Sequence, residues 1–302
     1  MAITAATPAR TATPTKGRAF PLGYFVLAFA FTWSFWWAAA LEARGLIPPL
    51  PVPAVFLGAF GPMVAAVVLT ARESGRAGLR SLLGRVTRWR VAPVWYGVAL
   101  LGPIALQLAA MALHVALGGQ PPDPSAMVAA LPGVVLLTAY MLVQVGIGEE
   151  VGWRGYALPR LQAGHGALVS SAILGSIWTM WHLPLFFDPA AGYSITPFWV
   201  FLFFLLPVSV LITWVFNSTG GSVLMVMILH AVLNASGTPM WRAIPEYGAM
   251  ESPTVALVTY TYLLQAAVLW AGAIAVVLVY GATNLSRRPR QVPADAEVEA
   301  RS

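Results

Sequence analysis

Eight stretches of about 20 mostly apolar residues run through the chain, and this is the length that a helix needs to cross a bilayer. Hydrophobic residues make up 59% of the chain and charged residues only 9%, whereas soluble domains carry roughly a quarter charged residues. The composition therefore excludes an ordinary soluble domain. The predicted spans are Pro21–Leu41, Pro53–Ala71, Ala92–Leu117, Met127–Ile147, Ala167–Phe187, Ile195–Phe216, Ser222–Ser236 and Thr254–Tyr280.

These spans predict an all-α integral membrane protein with about eight transmembrane helices around a polar cavity. The count falls to six or seven if the polar segments only re-enter the membrane. We predict one membrane domain over residues 21–281. Residues 1–20 and 282–302 are too polar and too rich in small residues to bury a core, so we predict two disordered cytoplasmic tails.

The basic residues predict the orientation of this domain. With the amino terminus inside, 15 of the 17 Lys and Arg residues fall on the cytoplasmic side, and only Arg44 and Arg242 fall outside. We therefore predict a multi-pass protein of the cell membrane with both termini cytoplasmic. Between Arg72 and Arg90, six arginines alternate with leucines as in an amphipathic helix that lies on a lipid surface. The basic charge thus indicates contact with the bilayer and not with nucleic acid.

Ionisable side chains inside a membrane cost about 2.5–3.5 kcal/mol each on insertion scales, so they indicate pairing, a wet cavity or chemistry. Three polar segments with such residues lie within a predicted span or directly at its end. The segments are Gly148–Tyr156 with Glu149, Glu150 and Arg154, Trp178–Pro184 with His182, and His230–Asn234.

Helical spacing suggests a role for several of these side chains. Glu150 and Arg154 are four residues apart and predict an ion pair, which leaves Glu149 free to face a cavity as a general base. His230 and Asn234 are also four apart and share one helix face. One carboxylate, two imidazoles and an amide that meet in a wet pocket can activate water and hold an oxyanion. We predict that this pocket lies in the cytoplasmic half of the bilayer, on the side of the termini, because Glu149 begins at a cytoplasmic boundary where water can enter.

Other intramembrane chemistries fit this sequence less well. The chain has no cysteine and no HExxH segment, which excludes a Cys nucleophile and a zincin site. Its aspartates, Asp123, Asp188 and Asp295, fall in predicted loops or tails, so no aspartyl dyad is available. Gly220–Ser222 is a weak match to a serine protease motif and leaves Glu149 and His182 unused.

The three polar segments resemble the motifs of the CPBP family, the CAAX proteases and bacteriocin-processing enzymes, which includes the type II CAAX prenyl proteases. Glu149, Glu150 and Arg154 match EExxxR, His182 matches the His of FxxxH with Trp178 in place of Phe, and His230 and Asn234 match HxxxN. The motif order and spacing agree from Glu149 to Asn234. We interpret the Trp178 departure as a change in packing beside His182.

The resemblance implies an intramembrane endopeptidase that cleaves a membrane-associated peptide or protein. Glu149 would activate water with His182, His230 and Asn234 would stabilise the oxyanion, and Glu150 and Arg154 would organise the site. We expect no obligatory metal; zinc held by Glu149, His182 and His230 is the alternative. Two other functions stay open: a non-catalytic immunity or binding protein that uses the same pocket, and a transporter, which would predict repeated halves that the sequence lacks.

Overall fold

The computed structural model describes residues 20–252 and 254–293, and throughout this part the regular structure is helical. Eight of its helical segments are long and apolar enough to cross a membrane, which confirms the predicted all-α integral membrane protein. The α-helices are α1 (Leu22–Ala43), α2 (Ala54–Gly58), α3 (Gly61–Val86), α4 (Val94–Ala116), α5 (Pro124–Met141), α6 (Leu158–Gly164), α7 (Ala167–Trp181), α8 (Phe198–Ser218), α9 (Val223–Trp241), α10 (Pro245–Gly248) and α11 (Val255–Tyr280).

Between α5 and α6 the helix continues through two π-helical segments, Leu142–Glu150 and Trp153–Ala157, so the fourth span extends from Pro124 to Gly164. The sequence predicted that this span ends at Ile147, with Glu149 at a membrane boundary. That boundary was wrong, because the helix continues for more than three turns beyond Glu149. Both glutamates are consequently buried inside the bundle.

The helices alternate in direction, which gives the bundle two ends. At one end, the strap end, Arg88 Nη1 donates to the Gly220 carbonyl, and the backbone N–H of Ala167 donates to the Thr283 carbonyl. The strap end contains residues 87–93, 165–166, 219–222 and 282–293. At the other end, the mouth end, the Asp123 N–H donates to the Ala243 carbonyl. The mouth end contains residues 44–53, 117–123, 188–197, 242–252 and 254.

The basic segment after Arg72 is helical, as predicted, but it continues α3 instead of forming a separate helix. Gly75 breaks the regular winding with φ +54° and ψ −145°, a conformation that L side chains rarely adopt. Beyond this kink Leu82 is buried, whereas Arg76 and Arg80 are exposed. The segment is therefore amphipathic, with its apolar side against the bundle.

Residues 282–293 differ from the predicted disordered tail, and we name them the C-terminal strap. Asn217 on α8 donates to the Gln162 side chain and to the Asn284 carbonyl, each at 2.8 Å, and Gln162 donates to the Gln291 carbonyl at 2.9 Å. Leu285 is fully buried. The buried amides of Asn217 and Gln162 need partners, and the backbone of the strap supplies them. Residues 1–19 and 294–302 of the predicted tails lie outside the described residues.

We expect Asn217→Ala to lower the free energy of unfolding by about 2–3 kcal/mol, because it removes four hydrogen bonds and takes the Asn217 partner from the Asn284 carbonyl and the Gln291 N–H of the strap. Reversible unfolding in mixed micelles measures this change. Gln120→Ala is the control, because Gln120 is an exposed amide at the opposite end of the bundle. Equal stability of the two variants would show that the strap is not fixed by Asn217.

Candidate active site

A cavity of about 650 Å³ lies within the bundle, and its wall includes Glu149, His182, His230 and Asn234. The three polar segments, which come from different spans, therefore meet on one cavity, as the sequence predicts. Most other lining residues are apolar or aromatic, among them Trp36, Phe201 and Leu205. The Asn234 side chain is exposed to the cavity and makes no hydrogen bond to the described part of the chain.

The cavity extends from the middle of the bundle to the mouth end. Gly192, Arg242 and Met250, which belong to the mouth-end loops, all line it. From His230 to Trp241 the wall follows α9 over twelve residues, or about 16 Å of helix. The sequence predicted that water enters from the side of the termini, but the opening lies at the opposite end.

Glu150 and Arg154 form the ion pair that their spacing predicts. Arg154 Nη1 donates to Glu150 Oε1 at 2.8 Å, and both side chains are fully buried. The same carboxylate oxygen lies 2.8 Å from His230 Nδ1, so Glu150 joins Arg154 to an imidazole of the cavity wall. Arg154 was counted among the cytoplasmic arginines from the sequence; its burial in this pair removes it from that group.

Trp178 contacts four other residues of the site. Its indole N–H donates to Glu149 Oε2 at 2.7 Å, and its carbonyl lies 2.8 Å from His182 Nδ1. The Arg154 guanidinium lies 4.7 Å from the centroid of the indole ring, and the His230 ring packs edge-on against it at 5.1 Å. The sequence interpretation of Trp178 as a packing change was incomplete, because phenylalanine could not donate the hydrogen bond to Glu149.

The hydrogen bonds of the two histidines define which ring nitrogen carries a proton. His182 Nδ1 faces a backbone carbonyl, and His230 Nδ1 faces the Glu150 carboxylate, so both partners are acceptors. In each ring Nδ1 therefore donates, which leaves Nε2 available. In a neutral ring Nε2 accepts a proton, and in a doubly protonated ring it donates one.

Close helix packing explains the glycines on either side of the two glutamates, Gly148 and Gly152. A Cβ on Gly148 would lie 2.8 Å from the Ala59 carbonyl oxygen, and a Cβ on Gly152 would lie 2.3 Å from the Pro62 carbonyl oxygen. These two glycines are four residues apart and face the start of α3. Their missing side chains allow the two backbones to approach, as small residues do between membrane helices.

Tyr193, in a mouth-end loop, contributes a neutral hydroxyl to the cavity wall. Burial raises the pKa of its phenol well above the usual value, so the group stays protonated at neutral pH. Burial and the neighbouring Glu246 raise the pKa of Tyr247, another lining residue, to about 12. Both side chains are therefore hydrogen-bonding groups without charge.

Zinc held by Glu149, His182 and His230, the alternative that the sequence left open, stays a prediction. Within 20–252 and 254–293, no group of three or more His, Asp or Glu side chains is arranged to hold a metal ion. Glu149 Oε2 accepts the Trp178 indole N–H, and the Nδ1 atoms of His182 and His230 have acceptor partners, so Nε2 is the ring nitrogen that either histidine could offer to a metal.

The fold and the site together define a polytopic membrane protein with the polar groups of a hydrolase on a deep cavity. Residues 131–236, which include all three motifs, match the family model for the type II CAAX prenyl endopeptidases, Rce1-like. The chain is also 27% identical over 229 residues to CAAX prenyl protease 2 of Methanococcus maripaludis, which covers 71% of this chain and 82% of that protein. These matches confirm the resemblance to the CPBP family and its type II CAAX proteases, and they support a peptidase.

Proposed function

We propose that this protein is an intramembrane endopeptidase in which Glu149 is the general base and no metal is obligatory. The observation that carries the proposal is the meeting of Glu149, His182, His230 and Asn234 on one cavity inside the bundle. The comparisons support the peptidase class. The mainly apolar wall favours a membrane-associated peptide or protein as substrate, because an apolar cavity binds apolar side chains.

In the proposed reaction a water molecule is placed between the Glu149 carboxylate and His182 Nε2. Glu149 takes a proton from the water while the water oxygen forms a bond to the carbonyl carbon of the scissile peptide. The carbonyl oxygen becomes an oxyanion, to which the Asn234 amide and a doubly protonated His230 donate. The carbon–nitrogen bond then breaks, and Glu149 returns the proton to the leaving amine. Glu150 and Arg154 hold His230 in position.

The experiment that tests this function is peptide cleavage by the purified protein in lipid nanodiscs. Membrane-associated peptides are incubated with the wild type and with Glu149→Gln, and new termini are identified by mass spectrometry. We expect cleavage by the wild type alone. Equal cleavage of the peptides in both samples would favour the other candidate function, a binding or immunity protein that uses the cavity without catalysis.

Trp178 provides a prediction about positioning. We expect Trp178→Phe to lower kcat about ten- to a hundredfold with little change in KM, because a hydrogen bond to a charged group contributes about 1.5–3 kcal/mol. Without the hydrogen bond from Trp178, the Glu149 carboxylate is free to rotate away from the proposed position of the attacking water. The kinetic constants of peptide cleavage measure this effect.

Trp181→Phe is the matched control for Trp178→Phe. Trp181 is also fully buried on α7, but its indole nitrogen has no hydrogen-bond partner among the described residues. The control removes the same atoms without touching Glu149, so it should leave kcat within about threefold of the wild type. A similar loss of kcat in both variants would assign Trp178 a packing role only.

A further inference from the structure

A second pocket, of about 630 Å³, lies at the strap end of the bundle, and we name it the strap-end pocket. Its wall is formed by residues 88–92 after α3, the start of α4, the end of α8 and the C-terminal strap. It shares no lining residue with the cavity that contains Glu149. The charged residues that line it, Arg88, Arg90 and Arg288, are all basic, and no carboxylate of the described residues does so. The pocket is therefore a candidate site for an anion.

Two of these arginines converge on one point. A Cβ on Gly220 would lie 3.2 Å from Arg288 Nη1 and 3.4 Å from Arg88 Nη1. Arg88 Nη1 donates to the Gly220 carbonyl at 2.8 Å, whereas the Arg288 guanidinium has no acceptor among the described residues. Like charges at this separation repel each other, and an anion beside both of them adds two attractions. A negatively charged group would therefore stabilise this part of the fold.

Ser218, at the end of α8, adds a hydroxyl to the wall of the pocket. The residue is only 8% exposed, and its Oγ has no hydrogen-bond partner among the described residues. A nearly buried hydroxyl without a partner is unfavourable, so it indicates a ligand or a water molecule that pairs with it. The donors of the pocket come from three separate segments of the chain. This arrangement suits the tetrahedral oxygens of a phosphate group, to which arginine also donates in bidentate fashion.

Hydrogen bonds to the backbone hold the first of these segments in place. The Ser222 hydroxyl donates to the Arg88 carbonyl at 2.7 Å, and the Tyr96 hydroxyl donates to the Trp89 carbonyl at 2.6 Å. The Arg90 guanidinium lies 5.1 Å from the centroid of the Trp89 ring. The strap that carries the opposite wall is fixed by the bonds described above. The donors are therefore arranged before a ligand arrives, which lowers the cost of binding.

The aromatic residues of the pocket indicate where the phosphate comes from. Trp89, Trp95 and Tyr96 line it, and such side chains lie at the level of the lipid headgroups in membrane proteins. Trp89 is 60% exposed, and Val94 at the start of α4 is 63% exposed, so apolar surface adjoins the basic groups. We propose that the strap-end pocket binds the phosphodiester headgroup of an anionic phospholipid, as basic pockets between membrane helices can. Inorganic phosphate shares this chemistry but does not need the apolar surface.

Native mass spectrometry of the purified protein in detergent measures this binding. Phosphatidylglycerol has a net negative charge, whereas phosphatidylcholine carries the same phosphodiester with a cationic group, and each lipid is titrated separately. The test variant is Arg90→Gln with Arg288→Gln, two side chains without an ion pair among the described residues. Arg88 is left unchanged, because it also holds the backbone. The control, Arg76→Gln with Arg80→Gln, removes the same charge from exposed side chains outside the pocket.

We expect the wild type to bind phosphatidylglycerol at least about tenfold more tightly than phosphatidylcholine. The test variant should lose at least about tenfold in affinity for phosphatidylglycerol, because charge-assisted hydrogen bonds are lost, and the control should stay within about threefold of the wild type. An equal loss in both variants overturns the proposal, since only general attraction between charges would then act. In lipid-free detergent the test variant should unfold at or above the wild-type temperature, because it removes a repulsion. A clearly lower temperature would assign the two arginines a structural role instead.

Inorganic phosphate distinguishes the lipid from a free anion. At the same concentration as the lipid, and with chloride as the reference, it should not displace phosphatidylglycerol from the wild type. Displacement would overturn the assignment of the pocket to a lipid headgroup. None of these measurements uses peptide cleavage, so failure of this proposal is separate from failure of the proposed endopeptidase function.

Discussion

Glu149→Gln is expected to reduce the rate of peptide cleavage by at least a hundredfold, the usual effect of losing a general base. The amide cannot take the proton of the attacking water, so the nucleophile is not formed. The fold should persist, because the amide oxygen can still accept the hydrogen bond from the Trp178 indole. The measurement is the initial rate of cleavage in nanodiscs, with thermal unfolding of the same samples.

Glu73→Gln is the control for this substitution. Glu73 is a partly exposed glutamate that accepts from Tyr156 and Arg160 on the surface of the bundle, away from the cavity. The control should keep cleavage within about threefold of the wild type. If Glu149→Gln also retained wild-type activity, Glu149 would not be the base, and the cavity would be a binding site.

The second large effect is expected for the buried pair of Glu150 and Arg154. Glu150→Gln and Arg154→Ala should each lower the free energy of unfolding by about 3–5 kcal/mol, because either one breaks the ion pair and leaves the charge of the other residue in the interior without its counter-charge from that pair. The double variant should lose less than the sum of the two, since the first substitution already breaks the pair. Unfolding of the four proteins in mixed micelles measures the coupling. Activity should also fall in the Glu150 variant, which releases His230.

Arg160→Ala provides the comparison for Arg154→Ala. Arg160 pairs with Glu73 at 2.6 Å, but both side chains are partly exposed, and such pairs contribute about 1 kcal/mol or less. We expect only a small change in stability. If the effects of Glu150→Gln and Arg154→Ala on the free energy of unfolding were additive, these residues would not form a pair. If Arg154→Ala were coupled to Glu149→Gln instead, Glu150 would be the general base and Glu149 the partner of Arg154.

The spans and the ion pair could be predicted because each depends on residues that are close in sequence. Runs of apolar residues define the eight helices, and the spacing of Glu150 and Arg154 places them on one helix face. The strap could not be predicted in this way. Its residues are polar, and they are held by Asn217 and Gln162, which are distant in sequence and become neighbours only in the folded bundle.

The residues of the site could be predicted from the sequence, but their arrangement could not. The resemblance to known motifs selected Glu149, His182, His230 and Asn234, but the hydrogen bond from Trp178 depends on the distance between two helices. The direction of the opening depends on how far the fourth span continues past Glu149. The hydropathy pattern underestimated the length of that span, because Glu149, Glu150 and Arg154 lower its mean hydropathy although all three are buried.

The π-helical winding of Leu142–Glu150 has a consequence for the tolerance of this segment to insertions and deletions. A π-turn holds one residue more than an α-turn, so deletion of one residue would let the segment return to regular α-helix. The extra residue is taken up within the segment, so the helix on its two sides would keep about the same orientation. Residues inside the segment would not, and Glu149 would no longer be held toward the Trp178 indole as it is now. The length of this segment is therefore as much a part of the site as the identity of its side chains.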